Sequence, residues 1–266
     1  YGALELYEKA KAAGVKPIVG FAFYMAENGM EQRGVAAGHN FHLVALAMNK
    51  TGYSNLMKLA SLAQTHGFYR RPRIDWPTLF NYNEGLIILS ACLQGELAWR
   101  CTHNDMGGAR QRAREVQRVF GDRFYLEIQE NGIAEQTVAN EGLLSLADEL
   151  GLALVATNDC HYLRAEDAHA HAVLLAIQSG KTVDDPTCFR FPTDKLYVKS
   201  GEEMAREFSY CSQAIANTCV IAERCNLELS FDQHYFPAYP VQEGHTLEGD
   251  FAAACWQGWE RRLHAL

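Results

Sequence analysis

The chain has 266 residues, 48% of them hydrophobic, and a formal charge of −8, which supplies a core for one large α/β domain or two small ones. The acid excess argues against the whole surface gripping duplex phosphates and leaves room only for a local basic patch. No apolar run approaches the roughly 20 residues of a membrane span, and no basic start precedes an apolar stretch as in a secretory signal; a cytoplasmic protein with no membrane partner is expected.

In chain order, the opening residues read as a helix with Leu4, Tyr7 and Ala10 on one face and Gly14 as its stop. The abrupt start at Tyr1 leads us to expect the natural start upstream of it. Val15 to Met25 reads as a strand, Glu27 to His39 as a polar glycine-containing loop, and His42 to Ala47 as a strand that His42 opens. Thr51 to His66 fits an amphipathic helix with Leu56, Leu59 and Leu62 inside. The aromatic and basic loop Phe68 to Asp75 follows it.

Gly85 to Ala91 is a short buried strand ending at Cys92, and Leu93 onward turns helical up to turn signals at Gly107 and Gly108. Ala109 to Phe120 is a charged helix, Phe124 to Gln129 a strand, and Ala134 to Leu150 a helix stopped by Gly151. Leu152 to Ala156 is a buried strand leading into Asp159, His161 and Tyr162. Next come a helix over Arg164 to Ser179, a proline-bearing segment over Asp184 to Ser200, and helices near Glu202–Phe208 and Ser212–Cys225. Tyr235 to Gly244 reads as a linker into a last amphipathic helix, Leu247 to Leu263. Strand and helix alternate at least five times, which predicts a parallel sheet with helices outside, either a barrel or a doubly wound sheet.

Candidate chemistry gathers at strand ends. Asp159 and His161 are two apart, so an extended backbone points both side chains to one face, and a carboxylate with an imidazole suits zinc or manganese. The alternative has Asp159 capping the next helix and His161 hydrogen-bonded in the core. Cys92 is either a ligand or a small buried hydrophobe; His42 is read as a ligand. The eight cysteines form no C-x-x-C pair and are read as reduced thiols. His169 and His171, two apart on a helix, do not face one another, and like His39, His66 and His103 are assigned surface roles. Arg70, Arg71 and Arg73 beside Phe68 and Tyr69 either contact nucleic acid or form a solvated turn. Arg110, Arg112, Arg114 and Arg118 are read as a charged helix face without a functional role.

The stretches Lys16-Pro-Ile-Val-Gly20, His42-Leu-Val-Ala-Leu-Ala47, Gly52-Tyr-Ser-Asn-Leu56, Pro72-Arg-Ile-Asp75, Glu84-Gly-Leu-Ile-Ile-Leu-Ser-Ala-Cys92, Ala156-Thr-Asn-Asp-Cys-His-Tyr162 and Arg190-Phe-Pro-Thr193 occur in one order along nearly the whole chain. Together they resemble the PHP (polymerase and histidinol phosphatase) domain of bacterial DNA polymerase III alpha subunits. The resemblance implies a distorted (β/α)-barrel over residues 1–232 that lacks its first strands, with residues 233–266 as linker and first helix leading into a polymerase core. It implies a metal rim containing His42, Cys92, Asp159 and His161, with zinc or manganese as the metal, and magnesium for polymerisation in the full-length protein. It implies DNA, a proofreading exonuclease subunit and other replication subunits as partners. The rim would be either a vestigial 3′–5′ exonuclease site or a scaffold for the proofreading subunit. Two departures count against robust hydrolysis. The family's early histidine motifs would fall before Tyr1, and Ala22 occupies the place of an acidic ligand. A freestanding metal-dependent phosphatase of the histidinol-phosphatase type is the alternative.

Overall fold

The computed structural model describes residues 2–232, 236–241 and 243–264. Six strands form one sheet: β1 (Gly20–Ala26), β2 (Asn40–Ala47), β3 (Arg73–Ile74), β4 (Leu86–Leu89), β5 (Phe124–Gln129) and β6 (Ala153–Thr157), in the order β3-β1-β2-β4-β5-β6. The strands β4, β5 and β6 are parallel, as are β1 and β3, but β2 runs antiparallel to both β1 and β4. The expected all-parallel sheet is therefore corrected to a mixed one. Parallel neighbours need a crossover, usually helical. The chain from 27 to 39 instead folds straight back, closed by Glu27 N–H donating to His39 O at 3.1 Å and His39 N–H to the Glu27 carboxylate at 2.8 Å. Among the described residues the sheet is open, with β3 and β6 at its edges.

The first strand starts at Gly20 rather than Val15, because the preceding residues are spent otherwise. Pro17 has no amide to donate, and Lys16 Nζ donates to Ala222 O and Asn226 Oδ1 at 2.6 and 2.9 Å. Helices α1 (Ala3–Ala12), α2 (Lys50–Thr65), α3 (Trp76–Asn81), α4 (Glu96–Thr102), α5 (Met106–Phe120), α6 (Ala134–Leu150), α7 (Ala168–Ser179), α8 (Gly201–Glu207) and α9 (Ser212–Arg224) surround the sheet's connections. Short polar side chains start several of them: Asn49 Oδ1 accepts from Gly52 N–H at 3.0 Å and Asp75 Oδ1 from Thr78 N–H at 3.0 Å. Asp105 does the same for Gly108 N–H at 2.9 Å, so Gly107 and Gly108 lie in the first turn of α5 and not in the turn expected there.

Period-two burial sorts the strand side chains between two cores. Phe23, Met25, Leu43, Ala45, Ile88, Leu126 and Ile128 pack with Leu59, Leu79, Val116 and Leu143 on one side. Ile87, Leu89, Tyr125 and Val155 pack with Ile221 and Cys225 on the other. Each large apolar side chain so buried contributes roughly 1.5–3 kcal/mol. The contacts divide the chain into Tyr1–Glu228 and Leu229–Leu266. The second unit holds α10 (Leu247–His264), where Phe251, Trp256 and Trp259 are exposed. The expected linker is irregular over residues 236–241, and its residues 235 and 242 lie outside the described ones.

The basic loop is solvated at Phe68, Arg70 and Arg71, but Arg73 departs from the solvated turn that its composition suggests. Arg73 is fully buried and donates to Gly67 O at 3.1 Å, Met30 O at 2.9 Å and Gln32 O at 2.8 Å, tying the 27–39 connection to the start of β3. Gly67 is required there, since a Cβ would lie 1.8 Å from Arg73 O. The Arg112 assignment also changes: its guanidinium reaches the buried Glu96 carboxylate at 3.0 Å and lies over the Trp76 ring at 5.0 Å. Replacing Arg73 by Met strands three carbonyls and is expected to cost about 3 kcal/mol in urea unfolding, with Arg73→Lys recovering only part of it because an ammonium cannot fork. A loss within about 0.5 kcal/mol, the range of ordinary surface changes, would contradict this assignment.

Candidate functional site

The reversed direction of β2 brings its amino end to the rim where the parallel strands have their carboxyl ends. Register places His42 opposite Tyr24 on β1, and Val44 opposite Leu89 on β4. Beyond Leu89 the chain turns tightly: Gly95 N–H donates to Cys92 O at 2.7 Å, and His42 N–H to Gln94 O at 2.8 Å. This turn admits only glycine at 95, where a Cβ would meet Ser90 O at 2.1 Å. The result is Cys92 Sγ 3.7 Å from His42 Nδ1. On the other side of His42, the Tyr24 ring meets it edge-on at 5.1 Å. Arg71 lies 4.8 Å over Tyr24 and donates to its hydroxyl. Of the three loop arginines, Arg71 reaches the rim; Arg70 stays exposed beside Tyr69.

The second pair comes from the exit of β6. Asp159 Oδ2 lies 3.4 Å from His161 Nε2, so Asp159 pairs with the histidine instead of capping the next helix. Asp167 caps that turn, accepting from Arg164 N–H at 3.0 Å. The segment is pinned by residues 195–197: His161 N–H donates to Leu196 O at 2.8 Å, and Asn158 Nδ2 to Lys195 O and Tyr197 O at 2.9 and 2.7 Å. Ala22, opposite Val44, is exposed and carries no donor atom.

Glu127, which the sequence reading passed over, and His171, which it assigned to the surface, belong here. Glu127 on β5 is buried beneath both pairs; its carboxylate accepts from Ala91 N–H at 3.1 Å, Thr157 Oγ1 at 2.5 Å and Gln129 Nε2 at 3.2 Å. Ala91 adopts φ 64°, a strained value for a residue with a Cβ, immediately before Cys92. His171 of α7, assigned to the surface, packs against His161 at 5.3 Å and Phe191 at 5.7 Å. A carboxylate inside the apolar run Phe124–Gln129 was a visible signal for Glu127, because buried polar groups are the informative exceptions. His171 had none, since its partner lies on another element.

Burial, with Arg71 adding and Asp159 opposing, holds His42 below the usual imidazole range. Burial, then the Asp159 charge, pushes the Cys92 thiol up to about 11, and burial likewise raises Glu127 against its three hydrogen bonds. Neutral forms are thus favoured deep in the site, and the Asp159 field reaches all three groups. Among the described residues, no group of three or more His, Cys, Asp or Glu side chains is placed to hold a metal ion; the four candidate donors come as two pairs.

Residues 1–131 match the model of the PHP domain. The chain is 44% identical over 256 residues to the DNA polymerase III subunit alpha of Thermus aquaticus, covering 92% of this chain and 21% of that protein. It is 37% identical to the subunit alpha of Borreliella burgdorferi, with 94% and 22% covered, and 36% identical to that of Deinococcus radiodurans, with 100% and 21% covered. The chain thus spans about a fifth of the length of these curated relatives.

Removing the Glu127 carboxyl takes the acceptor from Ala91 N–H and the Thr157 hydroxyl and leaves a cavity, so Glu127→Ala is expected to cost about 3 kcal/mol in thermal unfolding. It is also expected to speed alkylation of Cys92, mapped by peptide mass, as the Ala91 turn relaxes. An unchanged Cys92 rate in the folded variant would contradict the role given to Glu127.

Proposed function

Since the chain belongs to the PHP-domain family as it occurs in DNA polymerase III alpha subunits, we propose that it is the PHP module of the catalytic subunit of a bacterial replicative DNA polymerase. The single observation carrying this reading is the 44% identity that runs along 92% of the chain; a domain shared only by fold would not retain that level through its loops. The whole protein then performs template-directed nucleotidyl transfer on DNA with magnesium, outside these residues, as a cytoplasmic component of a replication assembly. The relatives named are polymerase subunits, which favours this reading over a freestanding histidinol-phosphatase-type enzyme.

Within the module, His42, Cys92, Asp159 and His161 are what remains of a metal rim. Their donor types suit zinc, and the oxygen and imidazole donors also suit manganese. Among the described residues each pair offers two donors, Glu127 is committed to backbone and side-chain partners, and Ala22 offers none. A two-metal phosphoester hydrolysis needs bridging donors on both ions, and these residues by themselves form two separate pairs. The module is read as a docking scaffold with the proofreading exonuclease subunit as its partner.

The test is zinc and manganese content after dialysis, followed by zinc titration in a calorimeter for the wild type and His161→Ala. The reading expects well under one ion retained per chain and weak zinc binding that His161→Ala removes. A tightly held stoichiometric ion accompanied by phosphoester hydrolysis would overturn the scaffold role, and a zinc response indifferent to His161 would remove the rim.

A further inference from the structure

Next to the Asp159–His161 pair, the 189–194 segment and the first turns of α7 enclose an open cavity of about 440 Å3. That is within the usual range for sites that take a small organic ligand, roughly 300–1,000 Å3. Its wall is aromatic. Tyr162, His171 and Phe191 line it; His171 and Phe191 stack at 23°, and Tyr162 meets His171 at 5.4 Å. His161 stands behind this wall, 4.7 Å from Phe191, so the cavity and the rim share one side chain cluster. Ala172 and Leu175 form an apolar floor, while His169, Arg190 and Asp194 are exposed at the mouth.

The chemistry of this lining is selective. The rings of Tyr162, His171 and Phe191 make this wall a continuous π surface. Such a surface takes a planar ring by stacking, and every nucleobase offers a π face. Arg190 supplies the cation that a phosphate requires, and the Asp194 carboxylate can accept from an exocyclic amino group. A base held in a duplex cannot present its face without leaving the stack, which costs a few kcal/mol.

We propose that this cavity binds one nucleotide of an unpaired DNA strand, with the base against Phe191 and His171 and the phosphate at Arg190, beside Asp159 and His161. The proposal deepens the reading of the chain as a DNA polymerase module and rests on it. It gives a role to the proline-bearing segment: Arg190, Phe191 and Thr193 fold over α7, with Thr193 Oγ1 anchored by donating to Asn131 O at 2.5 Å.

Fluorescence anisotropy of a short labelled oligoadenine strand, read on the full chain at low salt, tests this. Phe191→Leu keeps the apolar volume and removes the π face, and should weaken binding about tenfold, the scale of one stacked base. Arg190→Gln should lower the salt dependence by about one unit of slope. Displacement of the strand by dAMP identifies the nucleotide unit as the ligand, and failure of dAMP to displace it assigns the site to the strand. A Phe191→Leu chain that binds like the wild type, or a duplex of the same sequence bound as tightly as the single strand, overturns the proposal. Zinc titration reads the rim independently: Arg190→Gln, which touches none of the rim residues, should leave it unchanged, so the cavity and the rim can fail separately.

Discussion

A single carboxylate sealed inside the sheet, that of Glu127, accepts hydrogen bonds from the exits of two different strands. Through Ala91 N–H it holds the end of β4, and through Thr157 Oγ1 the end of β6. Those are the two points from which Cys92 and Asp159 depart. Burying such a group without partners would cost several kcal/mol, so its presence is tolerable only because three donors converge on it. The same bonds hold Ala91 in a backbone conformation it would not otherwise adopt. The rim geometry is thus a consequence of one satisfied polar cluster in an otherwise apolar layer.

A second constraint is the direction of β2. In an all-parallel sheet the start of a strand faces the rim opposite to the functional one, and His42 could not meet Cys92. Because the 27–39 connection folds back on itself, sealed by Arg73 and by the Glu27–His39 contacts, β2 enters from the functional side. Register then does the rest: Tyr24, His42 and the 92–95 turn arrive at one level. With Arg71 on one flank and Asp159 on the other, the site holds opposite charges around groups whose burial disfavours their charged forms. Such an arrangement suits positioning more than proton transfer at neutral pH.

Much of this was legible in the sequence because it is local. Periodicity located the strands of the second half and α6 almost to the residue, and the Gly151 stop was correct because a left-handed C-terminal position demands glycine. The motif resemblance found the family. It also named His42, Cys92, Asp159 and His161, which the structure brings together as two pairs, His42 with Cys92 and Asp159 with His161. What the sequence hid was non-local. The antiparallel entry of β2 depends on a loop whose closure is made by a distant arginine, which looks like surface charge in composition. Gly107 and Gly108 read as a turn because the Asp105 cap that admits them to α5 is a contact, not a composition. His171 meets His161 only through the packing of α7, ten residues and one turn of chain away. Glu127 was visible as an oddity, yet only its three partners reveal what it holds.

The most direct test of the Glu127 account is amide hydrogen exchange at Ala91, followed by NMR in the wild type and in Glu127→Gln. The Ala91 amide should be protected in the wild type although it lies beyond the end of β4, and should lose protection in the variant while Ile87 and Ile88 keep theirs. A fast-exchanging Ala91 in the wild type, or protection indifferent to the substitution, would show that the rim is held by something other than this carboxylate.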